Sequence, residues 1–527
     1  MHLAPSTAWV WLIACAVVIL FFPLAAQFGN LKGKLSSFRT WVWAIALLGI
    51  VTAGFMPFTF DTDIANFEVQ PFIFFITGTL LGVLFLGEFH RMNAQKKLEY
   101  PQRVHAERRT RYSKAVEQLA YPNPAVRASA LSTLAGLVDE WLADEQLSVE
   151  ARQKEGQVIV NALCAYVRSP FARAFKTEAF ESDTPPANYA GDFATDLAAF
   201  RGEQDVRRSV FVEMSKRSST LTENEKGEVA VVPGAWSGFE FDFSRAVVFY
   251  PLDGLTIENA DFSAARFCNG SDFSGAAFVG DANFTRAVFD QDARFSDVTF
   301  KGTADFSNAR FVGDAFFRWV AFSSNADFRE ASFGGHADFR DTTFAADAGF
   351  SGASFEGNAG FFRSSFGGNA SFFRTDFAGV AEFREAVFEG HAGFNAATFY
   401  GDAHFSRATF EGLAGFRDVT FKAGAEFYGA SFVQTADFCD VSFVKGPPLF
   451  AAKNVESGEV CRARFATLSA GQEAHNFAVY EGSQPIPLGT AGLNGLGYHI
   501  PVGTVLFDPV SWDERQKEYT RLSEPAQ

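Results

Sequence analysis

Cysteine is scarce in this chain: there are five in 527 residues (Cys15, Cys164, Cys268, Cys439 and Cys461), with no paired or metal-like spacing. No disulfide framework or zinc cluster can therefore be the basis of the fold, and the usage fits a reducing compartment. Histidine is also sparse, with eight residues spread along the whole length. No nucleophile and base pairing, phosphate loop or metal-ligand spacing stands out. Basic charge is short too, with 45 Lys and Arg against 61 Asp and Glu. The stretch GTAGLNGLG at 489–497 superficially echoes a dinucleotide-binding fingerprint, but His499, Pro501 and Gly503 follow where the helix of that motif must run. Neither catalysis nor a cofactor nor a metal is expected, and no residue is singled out as catalytic, cofactor-binding or metal-binding.

Long apolar runs are confined to the N-terminal 90 residues, at about 8–28, 41–58 and 71–88. Each approaches the ~20 residues a bilayer requires, so three transmembrane helices are expected over a membrane domain at 1–90. A cleaved signal peptide would want a basic start, which is missing here. Lys32, Lys34 and Arg39 lie in the first connection, Asp61, Asp63 and Glu68 in the second, and Arg91, Lys96, Lys97 and Arg103 follow the third run. Basic flanks stay inside, so the expectation is a multi-pass protein of the plasma membrane, with its N-terminus outside and everything after about residue 90 cytoplasmic.

What the sequence has in abundance is phenylalanine. From Phe262 to Phe443 it recurs at strictly alternating intervals of five and six residues, thirty-four times without exception. The period is eleven, written A-x-F-x-x-A-x-F-x-G-x, with a small residue two positions before each Phe, such as Ala304 before Phe306 and Val320 before Phe322. Glycine marks the wider of two alternating corners (Gly313, Gly335, Gly357, Gly368, Gly379, Gly390, Gly401, Gly412), where a residue of positive φ is easily accommodated. Asp, Asn or His often follows it. A helical supercoil is the other structure with an eleven-residue period. It fails here, because residues five apart lie about 140° apart around an α-helix and a Gly in most units would cost roughly 1 kcal/mol each. A solenoid of short strands is expected, each unit burying its apolar face against its neighbours.

The repeat resembles the pentapeptide-repeat family: a small residue, a polar residue, a central Leu or Phe, and two variable residues. That resemblance implies a right-handed quadrilateral β-helix at about 236–468, capping coils included, with Phe and the small residue pointing inward. The alternation makes each coil 22 residues, where the family has 20. Weaker repeats of the same phase at Ile257, Leu449, Val460 and Phe465 mark imperfect capping coils.

Between the apolar runs and the repeat, about 91–235, Asn123 and Pro124 signal a helix start, followed by Val126, Ala130, Leu134, Leu137, Val138 and Trp141 at helical spacing. Val158, Ala162, Cys164, Ala165 and Val167 suggest a second helix. This segment resembles the HEAT-like helical part found just past the membrane in bacterial membrane-anchored pentapeptide-repeat proteins. Ser182 to Gly202 and Ser218 to Ala235 read as loops, and 469–527 as an irregular C-terminal tail. The expected fold class is thus an α+β membrane protein: transmembrane helices, an α-helical juxtamembrane domain, then the β-helix.

Functional signals within the repeat are weak. His336 and His391 share a corner slot but lie two and a half coils apart, too far to share a metal. Asp327 with Arg329, Asp338 with Arg340, and Glu382 with Arg384 are expected as surface ion pairs. From Asp261 to Lys445 there are 24 acids against 15 bases, a net of about −9, which disfavours direct nucleic-acid binding. The expected function is a membrane-tethered, non-catalytic scaffold that offers a rigid β-helix to an unidentified protein partner, with a homodimer as one form of assembly. The alternative, implied by the family, is an acidic DNA mimic that inhibits DNA gyrase; Arg318 and Arg340, one coil apart among the acids, interrupt the acidic ladder it would need.

Overall fold

A computed structural model describes residues 70–223, 229–268, 270–453, 460–468 and 474–527. The expected membrane spans at 8–28 and 41–58 lie outside the described residues. The third, 71–88, falls on helix α1, Gln70–Gln118. Among the described residues no helix is long and apolar enough to cross a membrane, which overturns the membrane-protein fold class. The apolar lettering covers only the start of α1, and the same helix runs on unbroken through Glu88, Arg91, Arg103 and Arg109. The fold is instead a β-solenoid of about nine turns with a small helical region. The chain divides into two compact units between Thr110 and Arg111, and all that follows concerns the second.

Its helical region comprises α2 (Pro124–Leu142), α3 (Val149–Arg168), a 3-10 segment (Ala172–Phe180) and α4 (Phe193–Ser215). Helix α2 starts as its sequence signals. Asn123 is the N-cap, its side chain accepting from the Ala125 amide at 2.9 Å, and Pro124 fills the first helical position. Residues 193–202, read as loop, are instead the first turns of α4, capped by Asp192, whose carboxylate accepts from the Thr195 amide. The second loop reading is broken by an antiparallel pair, Thr220–Glu223 with Val229–Val232. A buried ion cluster ties the helices together. Arg207 bonds Glu203 at 2.7 Å and the carbonyls of Val167 and Ser169, while Arg127 and Tyr166 close on the same Glu203. Such a buried charge survives because Arg207 and Glu203 are each held by several partners, although Arg127 Nε and the Tyr250 hydroxyl beside them are buried without one.

Helix α4 closes the N-terminal end of the solenoid. Phe211 lies on Phe243 with ring centroids 4.5 Å apart, and the Thr256 amide donates to Ser215 Oγ at 2.9 Å. From there four parallel sheets run the length of the coil, with ten, ten, eight and eleven strands. In chain order, the first face runs from Phe241–Asp242 to Ala436–Asp437 and the second from Val247–Val248 to Ser442–Phe443. The third runs from Ser271–Asp272 to Ala425–Glu426 and the fourth from Thr256–Ile257 to Val505–Phe507. Partners are 22 residues apart, as in Ala282 with Ala304 and Phe300 with Phe322. The thirty-four phenylalanines are buried, almost all with no accessible surface. Along one face their rings stack, as between Phe361 and Phe383 (4.8 Å, 1°), while rings from opposite faces meet edge-on across the core, as between Phe350 and Phe361 (5.4 Å, 86°).

The two kinds of corner are built on different principles, and the positive φ that glycine at the wide corner would accommodate sits at the tight corner instead. The tight corner is a turn such as Phe262 to Ala265, whose amide donates back to the Phe262 carbonyl at 3.0 Å. Its third residue has φ between 53° and 75° in every coil, and it is seldom Gly: Arg286, Asp297, Trp319, Glu330 and Arg374 all hold it. Glycine at the wide corner answers crowding instead. A Cβ on Gly357 would lie 2.4 Å from the Gly335 carbonyl oxygen, and one on Gly401 2.3 Å from that of Gly379. The Asp, Asn or His that follows bonds the next coil. Asn358 accepts from the Val380 amide at 3.0 Å, and His391 Nδ1 accepts from the Leu413 amide at 3.1 Å.

Beyond the regular run, Phe465 pairs in register with Phe432 and stacks on it at 4.9 Å, and Phe450 stacks on Phe427. Residues read as an irregular tail supply further strands. Val505–Phe507 extends the fourth face, and Leu488–Leu493 pairs with Leu496–Pro501 as a hairpin over the end.

Candidate docking groove on the third face

Every coil presents the same outward positions, so side chains 22 residues apart form columns about 4.8 Å per step. On the third face the strand column reads Arg294, Phe316, Asp338, Gly360, Glu382, His404, Glu426. Two residues on, at the tight corner, the next column reads Arg318, Arg340, Phe362, Arg384, Ser406, Tyr428. Ser406 is buried, with 2% of its surface exposed, so the column dips between Arg384 and Tyr428. Beside the dip stands the antiparallel hairpin Ala451–Lys453 with Val460–Arg462. Together they enclose a groove of about 900 Å³.

The chemistry of its walls is mixed. Phe362 and Tyr428 supply aromatic surface, and Arg340, Arg384, Arg407 and Lys453 supply cations, interleaved with Glu382, Glu385 and Glu426. The groove's three arginines, and His404 beside them, each have an acidic neighbour. Arg384 bonds Glu382 at 2.5 Å, Arg407 lies 3.6 Å from Glu385, and His404 Nδ1 is 2.7 Å from Glu426. Cys461 also lines the groove, and its sulfur, with Glu385, holds the Arg407 guanidinium above its ordinary pKa. Just outside the groove Asp338 receives Arg340 at 2.7 Å and also Arg318 from the preceding coil. Burial pushes its carboxyl up, but the two arginines and the Arg340 amide outweigh burial and leave it below the ordinary value of 3.8.

The residues weighed in the sequence fall as follows. His336 and His391 sit on different corners of the coil, and each uses Nδ1 to accept a backbone amide of the next coil. Asp327 with Arg329, Asp338 with Arg340 and Glu382 with Arg384 form their ion pairs. Among the described residues no group of three or more His, Cys, Asp or Glu is placed to hold a metal ion. Sequence reading missed the groove. Stacking the repeat in rows of 22 would have placed Phe362, Arg384, Ser406 and Tyr428 in one column, but the hairpin that walls it has no periodic signal.

Such a surface has the materials of recognition: aromatic area, paired charges whose partners can be exchanged, and a rigid backbone beneath. Residues 284–331, 295–343 and 372–420 match the family model described as Pentapeptide repeats (9 copies). No curated protein and no solved structure matches the chain. These residues are pentapeptide repeats, and the chain winds them into a β-solenoid.

Proposed function

We propose that this protein is a non-catalytic scaffold whose groove on the third face holds an extended segment of a partner protein. The observation that carries the reading is the dip at Ser406, flanked by Phe362, Arg384, Arg407 and Tyr428 on a rigid stack of parallel strands. An extended segment laid along the column would span Phe362 to Tyr428, three coils or about 14 Å, and bury apolar side chains on those two rings. Its acidic groups would exchange with Glu382 and Glu385 for Arg384 and Arg407. Charge reversal of both arginines, Arg384→Glu with Arg407→Glu, is expected to abolish a complex isolated with the full chain while leaving the circular dichroism unchanged. A complex that survives this change refutes the groove.

Gyrase inhibition by DNA mimicry is the second reading, favoured by the net of about −9 between Asp261 and Lys445. Against it, acids at Asp327, Asp338, Asp341, Glu382 and Asp437 each carry an arginine, so they do not form the bare anionic ladder of a phosphate backbone. Undiminished supercoiling in the presence of micromolar full chain is the expected result.

A further inference from the structure

The four faces differ in what they expose. The outward strand column of the first face carries Asp261, Asp305, Asp327 and Asp437. That of the second carries Arg266, Arg310 and Asp376, and that of the third Arg294, Asp338, Glu382 and Glu426. On the fourth face the same column is uncharged and small for eight coils, from Ala277 through Thr299, Ala321, Thr343, Ser365 and Val387 to Ser431. It is also flat. The phenylalanine rings beneath it, from Phe300 to Phe432, are stacked within 1° to 6° of parallel from coil to coil. Sheets normally twist by about 20° per strand, and a twisted face could touch another only over a few coils.

We propose that two copies of this chain associate antiparallel through their fourth faces, about a two-fold axis between the coils of Thr343 and Ser365. Reversal about that axis sets Thr343 opposite Ser365 of the second copy, Ala321 opposite Val387 and Thr299 opposite Thr409, so no charge is buried in the middle. The columns on either side then become self-complementary. On the tight-corner side the pair Asp341 and Arg363, already bonded within each copy at 2.9 Å, meets its own reversed image, and Asp297 faces Arg407. On the wide-corner side Lys301 faces Glu411 and Val279 faces Val433. Each contact occurs twice, as an isologous interface demands, and no like charges oppose one another. On the second face the same reversal would set Arg310 opposite Asp376, so a charged pair would be buried near the middle of that contact, at a desolvation cost the uncharged fourth face does not incur.

The contact is modest. Seven steps of ~4.8 Å by four residues of ~3.3 Å give about 34 by 13 Å, or roughly 900 Å² counted on both copies. That belongs with weak, transient interfaces, so the dimer forms at micromolar or higher concentration and weakens with salt. The groove opens on another face but shares Arg407 with this contact, so the dimer is tested at positions outside the groove.

The test is sedimentation equilibrium of the full chain, held in solution with a nonionic detergent at low salt. Lys301→Glu and Glu411→Lys are each expected to weaken the dimer about tenfold, by turning two attractions into two repulsions. The double variant, K301E with E411K, restores the pairing in reversed polarity and should recover the wild-type constant. Independently, Ala321→Cys with Val387→Cys should give a reducible cross-linked dimer, whereas Ala321→Cys with Thr409→Cys should not. A wild-type chain that stays monomeric at every concentration, or a double variant no better than the singles, overturns the proposal.

Discussion

At the wide corner a single methyl group is too much. The carbonyl of Gly368 lies 2.4 Å from where a Cβ on Gly390 would stand, and backbone in a stacked coil cannot withdraw without shifting its neighbours. Gly390→Ala is expected to cost about 1 to 3 kcal/mol, measurable as a lowered denaturation midpoint. At the tight corner the reverse substitution helps. Trp319 holds φ at 56° with more than half its surface exposed, a conformation that costs an ordinary L-residue roughly 1 to 2 kcal/mol. Trp319→Asn, which tolerates that region, should therefore raise the midpoint by an amount worth about 1 kcal/mol. Asp338 makes a third prediction, in pH. Its carboxyl is held below the ordinary 3.8 in the folded state, so its contribution to stability is full above that pH and is lost as pH falls through the lower folded value. Asp338→Asn should destabilise by about 1 kcal/mol at neutral pH, a figure discounted for the solvent around its two half-exposed arginines. The gap to wild type should close in thermal melts below about pH 4.

At the scale of elements, legibility followed periodicity. The phenylalanine and alanine ladders, the 22-residue register and the start of α2 could all be read, because each rests on a local pattern the backbone obeys. The role of the wide-corner glycines was misread, since crowding between Gly335 and Gly357 depends on stacking across 22 residues, which one coil read alone does not display. Helix α4 was hidden in a polar stretch, because its start is set by Asp192 and its buried Glu203 and Arg207 look solvated in the sequence. The run at 71–88 reads as a membrane span only if cut off from the charged continuation of α1. The C-terminal strands lack a repeat, and their pairing depends on contacts with the last coils. One of those contacts is pH-sensitive. His475 accepts the Ala436 amide on Nδ1 at 3.1 Å and donates from Nε2 to the Ala466 carbonyl at 3.0 Å, an arrangement that requires neutral imidazole. Burial lowers its pKa from 6.5, only partly opposed by the Ala466 carbonyl. Its depressed value means that stability is full above about 6.5 and declines as pH falls below it. Between pH 7.5 and 5.5 wild type should lose more thermal stability than His475→Gln, and the additional cleavage in limited proteolysis should fall in 474–527.

For the whole molecule, one construction serves both ends of the argument: a stack that repeats every 22 residues keeps its core constant while each face is free to vary. The third face has mixed charge, aromatic rings and a groove. The fourth is small, flat and neutral, and is flanked by charges that match under reversal. Function on such a frame lies in which column is used and is not dictated by the fold itself. The most direct measurement is therefore a photo-crosslinking scan around a single coil, in cells, with the reactive side chain placed in turn at Ser371, Asp376, Glu382 and Val387, one on each face. The account predicts that Glu382 alone captures a distinct partner protein, that this capture is lost in the Arg384→Glu, Arg407→Glu background, and that Val387 captures only another copy of the chain. Capture of the same proteins from all four positions, or a Glu382 adduct indifferent to both arginines, would contradict it.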